Sequence, residues 1–201
     1  MKKLLFLSLC TLFSLNLLAQ KYDDKVSIDV QKIDAEEFYK IQNKGWVILD
    51  QENGMKDLAN FSNKNYVLYL SLNCKTNSDT PPSFLVEYNG NYGDKEWGGL
   101  DFASSRSGDF QKISFFVDAK EVENPFVKMS DKKIESFKEI LKKGKTLTIK
   151  FYNTEFNPNT GKDELKINRE LSFELKNSQL VDVPTYCKEE NNDAVETSVA
   201  E

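Results

Sequence analysis

The sequence predicts an α+β fold: a mostly antiparallel β-sheet with two short helices in a single domain. Two observations carry the fold class. Strand-length runs of aromatic and aliphatic residues recur along the chain, separated by Asn, Gly and Pro. Only two segments combine helically spaced apolar residues with a capping side chain at the start and a glycine at the end. The single domain follows from length, because 201 residues are enough for one core and marginal for two.

In chain order, Lys2 and Lys3 precede an apolar stretch from Leu4 to Leu18, and Ala19 stands before the polar Gln20. That is the pattern of a cleaved secretory signal peptide over residues 1–19, cut after Ala19. Ser8, Thr11, Ser14 and Asn16 interrupt the stretch, which falls short of the ~20 apolar residues of a spanning helix. Leu9 is too large for the position before a lipidated cysteine, so Cys10 belongs to the discarded leader. The expected location is periplasmic or extracellular, with no membrane span after cleavage. The remaining 182 residues divide into a domain over 20–187 and a tail over 188–201, acidic and without aromatic residues, which is expected to be disordered.

Asp34 with Glu37 makes a capping box for a short helix from Ala35 to Asn43, ended by Gly45. Trp46 to Leu49 reads as a strand. Asp50 to Lys64 lacks a clear period and reads as a loop, with one helical turn around Met55 to Ala59. Tyr66 to Cys74 and Ser83 to Tyr88 are strands separated by Pro81 and Pro82, which cannot pair inside a sheet. Asn89 and Gly90 suit a tight hairpin turn. Leu100 to Ala103 and Lys112 to Asp118 follow as strands, and the apolar Phe116 predicts cover on both faces of the second. Ser130 caps the second helix, whose buried face is Ile134, Phe137, Ile140 and Leu141, with Lys142 and Lys143 at its negative end and Gly144 as its stop. Lys145 to Tyr152 and Arg169 to Leu175 form an antiparallel pair around a polar turn, Asn157 to Glu164.

The helix stop and following strand, Leu-Lys-Lys-Gly-Lys-Thr-Leu-Thr-Ile at 141–149, resemble the C-terminal part of small exported bacterial β-proteins of the invasion-associated locus B type. The Leu-Leu-Ala-Gln end of the leader resembles exported proteins of the Bacteroidota. These likenesses imply an envelope-associated, non-enzymatic protein and transfer no functional residue.

Composition narrows the chemistry. The chain has no histidine, which removes Ser-His-Asp and Cys-His catalysis and every His-ligated metal. After leader cleavage only Cys74 and Cys187 remain, too few and too far apart for a thiolate metal site or a redox Cys-x-x-Cys. In an oxidising compartment they are expected to form a disulfide. No phosphate-binding glycine loop is present. The formal charge is −5, and no basic patch fits nucleic acid. Asn is abundant and arginine is limited to Arg106 and Arg169, which looks like an A/T-rich genome more than a selected property.

Three functional classes remain, and no catalytic residue, metal site or cofactor is predicted. The first is a non-catalytic binding protein of the bacterial envelope, an accessory, inhibitor or immunity factor, whose partner is another envelope or secreted protein. It would show an exposed apolar patch on a sheet face or helix. The second is a carbohydrate-binding protein using Tyr88, Tyr92 and Trp97, aromatic faces in a loop of Asn and Gly. The third is a carboxylate glycosidase drawing on Glu87, Asp94, Glu96 and Asp101, which would need two carboxylates across a cleft. Asn157 to Glu164 faintly resembles a calcium loop, but Lys162 within it favours a plain turn. Arg106 among serines reads as an ordinary surface arginine.

Overall fold

The computed structural model describes residues 27–29, 31, 32, 34, 36, 40, 45–51, 56–89, 101–105 and 110–185. Among the described residues ten strands form two sheets. The first holds β1 (Ser27–Asp29), β2 (Trp46–Asp50), β3 (Lys56–Asn60), β4 (Tyr66–Ser71), β5 (Ser83–Tyr88) and β6 (Asp101–Ser104), in that spatial order. Only β1 and β2 run parallel; β2 to β6 are an antiparallel meander. The second sheet is ordered β10-β9-β7-β8, from β7 (Lys112–Val117), β8 (Lys120–Val122), β9 (Thr146–Asn157) and β10 (Lys162–Glu174). Helix α1 (Asp131–Lys143) connects β8 to β9, and a 3-10 turn, Ser178–Asp182, follows β10.

The fold is therefore mostly antiparallel and β-rich, but with two sheets where one was expected. One α-helix, not two, is among the described elements. The expected first helix falls mostly outside the described residues; Glu36 and Lys40 within it are helical and ion-paired at 2.9 Å. Helix α1 matches its signals: Ser130 Oγ accepts from the Lys133 amide, and the Gly144 amide donates to the Ile140 and Leu141 carbonyls. Gly144 is also a point of close approach, since a Cβ there would lie 2.3 Å from Val117 Cγ1.

The segment from Asp50 to Lys64, expected as a loop with one helical turn around Met55 to Ala59, instead supplies β3, paired on one side with β2 and on the other with β4. Its sequence, Lys-Asp-Leu-Ala-Asn, is a weak strand former, and the two neighbouring ladders override that preference. Strand β8 was also not expected. It follows a two-residue reversal in which Asp118 and Ala119 both have positive φ, 49° and 65°, without the glycine that usually signals such a hairpin. Asp118 holds this turn, because its Oδ1 accepts from the amides of Lys145 and Thr146, both at 3.0 Å.

Both sheets and the helix share one core. Side chains from the first sheet (Trp46, Leu68, Phe84, Val86), the second (Phe115, Ile149, Phe151, Phe173) and the helix (Phe137, Leu141) are buried together. The opposite face of the first sheet carries a second buried cluster, Ile28, Val47, Leu49, Ala59, Phe61 and Val67.

Asparagine has a structural part that composition alone does not suggest. Asn60, fully buried, donates to the Glu174 carbonyl at 2.8 Å, and Asn63 to the Ser172 carbonyl at 3.1 Å, fastening β10 to the first sheet. Asn73 donates to the carbonyls of Val181 and Val183 and accepts from the buried Lys138 at 2.9 Å. Asn177, at φ 59°, donates to the Trp46 carbonyl. These amides satisfy backbone groups where elements without a common ladder meet.

Gly45 and Gly161 both have positive φ, 85° and 65°, but in different surroundings. A Cβ on Gly45 would sit 2.5 Å from the Lys176 carbonyl oxygen, whereas one on Gly161 meets nothing within 4 Å. Gly161→Ala should cost only the left-handed backbone penalty of about 1–2 kcal/mol. Gly45→Ala adds a backbone clash and should cost about 3 kcal/mol or more. Urea unfolding of the two variants measures the difference, and equal losses would refute this account of Gly45.

Candidate functional site

Two surfaces hold the side chains with chemistry to offer. The first is a cleft on the six-stranded sheet. Cross-strand register places Leu49 opposite Asp57, Ala59 opposite Tyr69, and Val67 opposite Glu87. With side chains alternating along each strand, Asp57, Tyr69 and Glu87 share one face. They line an open cavity of about 560 Å³, bordered by Gln51 and by hydroxyls that include Ser71, Ser83, Ser104 and Thr185.

Gln51 Nε2 donates to Asp57 Oδ2 at 2.8 Å, and the Tyr69 phenol donates to Glu87. Burial, reinforced by the nearby Glu87 and Asp57 carboxylates, pushes the Tyr69 phenol well above its ordinary value. Tyr69 is thus held as a neutral donor, and Glu87 is engaged as its acceptor.

Of the aromatic trio expected to bind a glycan, Tyr88 alone lies among the described residues. Tyr88 sits on the face opposite Glu87, half-buried against the shared core, with its ring 5.2 Å from that of Tyr66. Arg169 hydrogen-bonds the Tyr66 hydroxyl and lies 5.7 Å over its ring. Alternation turns Tyr88 towards the shared core, where it packs partly buried beside Tyr66. Tyr92, Trp97, Asp94, Glu96 and Arg106 lie outside the described residues. Of the carboxylates singled out, Glu87 lines the cleft, and Asp101 opposes it in the β5–β6 register. Asp57 and Tyr69 were not anticipated; their shared face depends on strand register, which no local motif encodes.

Cys74 is buried at the edge of the cleft. The Ser71 hydroxyl lies 3.1 Å from its sulfur and 3.3 Å from the Thr185 hydroxyl. Cys187 lies outside the described residues. Of the segment expected as a turn from Asn157 to Glu164, only 158–161 is turn, since Asn157 ends β9 and Lys162 to Glu164 begin β10; the Gly161 amide donates to the Asn157 carbonyl, and Glu164 Oε1 accepts from Asn157 Nδ2 and Thr160 Oγ1. Among the described residues no cluster of metal-ligating side chains is present, and no helix is long and apolar enough to cross a membrane.

The second surface is the outward face of the four-stranded sheet. Strand β7 accompanies β9 only as far as the Lys112–Tyr152 pair, while β9 and β10 continue together to the Asn157–Lys162 pair. Beyond Tyr152 the two long strands form an arm that no described strand flanks. Register and alternation place Tyr152, Thr154 and Phe156 of β9 on one face with Ile167, Leu165 and Asp163 of β10. Phe156 is 64% exposed, Leu165 54% and Ile167 50%. The other face of the arm is polar, with Lys166 paired to Glu155 at 2.9 Å. Towards the root, the same outward face carries Lys112, 5.4 Å over the Tyr152 ring, and Lys150, 4.9 Å over Phe116.

Two antiparallel-rich sheets around one helix-closed core, with an amphipathic hairpin arm, define a two-sheet β-protein. The chain belongs to the YfjT family, whose family model matches residues 44–181. That span runs from just before β2 into the closing 3-10 turn, so it takes in the second sheet, the helix and all of the first sheet except β1. No curated protein and no solved structure matches the chain. No named relative therefore supports the resemblance to invasion-associated locus B proteins.

The Tyr69 phenol imposes a pH dependence. Its folded value lies above the unfolded one, near 10, so the neutral form favours the fold at all lower pH, and that stability declines as the pH rises above about 10. Tyr69→Phe should remove this part of the alkaline decline while costing about 1 kcal/mol at neutral pH through the lost bond to Glu87. Urea midpoints of both proteins at neutral pH and at about pH 11 provide the check. An unchanged alkaline decline in the variant would show that Tyr69 is not its source.

Proposed function

We propose that this protein is an exported, non-catalytic binding protein of the bacterial envelope that contacts another envelope or secreted protein through the outward face of its second sheet. One observation carries the proposal. Of the four large hydrophobic side chains that are exposed among the described residues, three, Phe156, Leu165 and Ile167, lie together on one face of the arm. Isolated exposed apolar residues are ordinary, but a contiguous group with a polar rim is the usual mark of a protein-contact surface. The leader sequence over residues 1–19 supports export. A glycan-binding role draws less support, since Tyr88 faces the core. So does a glycosidase role, since Glu87 is engaged by Tyr69.

A photo-crosslinking residue in place of Leu165, in the full chain expressed in its native cells, should capture an envelope or secreted protein. The same residue in place of Lys166, on the polar face, should not. Equal capture from both positions, or none from either, would remove the arm as the contact surface.

We also propose that Cys74 is bonded to Cys187. Support comes from Cys74, buried beside the Ser71 hydroxyl, and from Thr185, which is held beside it through Ser71 only two residues before Cys187. Closing a loop of this length stabilises by up to ~4.7 kcal/mol in the chain-entropy model. Intact mass of the exported protein should rise by two hydrogens on reduction, and peptide mapping should join the two cysteines. Two free thiols in the exported protein would refute the bond.

A further inference from the structure

We infer that the cleft on the first sheet binds a linear polyamine, an alkyl chain with an ammonium group at either end. This site lies on the other sheet from the arm and does not depend on the arm's role. The described residues that line the cleft include two carboxylates, Asp57 and Glu87, and no lysine or arginine. An anionic ligand would meet only repulsion there. Asp57, partly buried, accepts from Gln51 at Oδ2 and forms no ion pair among the described residues. Its sequence neighbour Lys56 points to the opposite face, where it pairs with Asp50. A cation from outside supplies the charge that the lining lacks.

The layout selects an extended cation over a point charge. The ladders place Asp57, Tyr69 and Glu87 on the successive strands β3, β4 and β5, each displaced from the last by two residues. Diagonal neighbours of this kind stand about 7–8 Å apart, so the carboxylates flank the phenol along one line instead of converging on one point. Both still act on the Tyr69 hydroxyl, Glu87 as its acceptor and Asp57 through its charge. A divalent metal ion needs about six oxygens around a single centre, and no such cluster exists among the described residues. Between the two carboxylates lie Tyr69 and Leu85, its partner across the ladder. The methylenes of a polyamine can rest against these side chains while its ammonium groups reach an acceptor at each end. Neither existing hydrogen bond has to break, because a carboxylate offers about four lone-pair sites. The cavity, about 560 Å³, is of the size that small ligands occupy.

The test is equilibrium dialysis of the purified exported protein with radiolabelled spermidine at about 0.15 M salt, with putrescine, n-butylamine and magnesium chloride as competitors. Spermidine should bind with a Kd of about micromolar order. Putrescine should compete at least about tenfold better than butylamine, which has a single ammonium group, and magnesium at matched ionic strength should not compete. Asp57→Asn and Glu87→Gln should each weaken spermidine binding about tenfold. Glu170→Gln, which removes an exposed carboxylate paired with Lys150 on the second sheet, should leave it unchanged. Circular dichroism and thermal midpoints show whether each variant is folded, and if one is not, the ratio of putrescine to butylamine on the wild type still decides. Absence of spermidine binding up to millimolar concentration overturns the inference. So does equal competition by putrescine and butylamine, displacement by magnesium, or a loss with Glu170→Gln as large as with Asp57→Asn. Crosslinking at Leu165 reports on the arm alone, so either reading can fail without the other.

Discussion

Four phenylalanines from four different parts of the chain hold the fold together. Phe84 comes from the first sheet, Phe115 from the second, Phe137 from the helix and Phe126 from the segment before it. Their rings meet at centroid distances between 5.1 and 6.2 Å, in tilted or edge-to-face arrangements. Such contacts add to the burial of large apolar surface and are directional. The cluster therefore fixes how the two sheets and the helix sit relative to one another. Phe115 and Phe137 are essentially without solvent contact, and removing either would open a cavity at the point where every layer meets.

Around this apolar centre, polar side chains align backbones at the ends of ladders and between elements that no ladder joins. Asn60, Asn63, Asn73, Asn177 and Asp118 each bind main-chain groups of a segment distant in sequence. Lys138, though buried, is reconciled with the interior by Asn73, Glu135 and Asp182. A buried ammonium is tolerable only with such partners. The network ties the helix to the 3-10 turn and to the segment after β4, beside the hydroxyls that border the cleft.

The two candidate surfaces differ in how they use this frame. In the cleft, donors and acceptors are already paired with one another: Gln51 with Asp57 and Tyr69 with Glu87. A neutral ligand would have to compete for bonds already made, whereas a cation adds to the carboxylates without breaking them. On the arm, apolar side chains remain exposed while their polar neighbours on the opposite face are satisfied. Covering that stripe removes apolar surface from water and breaks no existing bond, which favours a macromolecular contact there.

Much of the fold was legible in the sequence because local physics wrote it. The caps of α1 at Ser130 and Gly144, the strand at Ser83–Tyr88 and the pairing of β9 with β10 each rest on neighbours within a few residues, through capping, alternation and turn chemistry. The histidine-free composition likewise set its exclusions without any structure. What the tertiary structure decided was everything that depends on register and on partners distant in sequence. Strand β3 exists because β2 and β4 flank a segment with little strand preference. Tyr88 faces the core because its strand alternates from Phe84 and Val86, which are buried there. Asp57, Tyr69 and Glu87 meet only through three ladders, and Phe156, Leu165 and Ile167 become a surface only because β9 and β10 outrun β7. A one-residue slip in any of these pairings would send every side chain of that strand to the opposite face, and nothing in a local stretch of sequence marks which register the assembled sheets will choose.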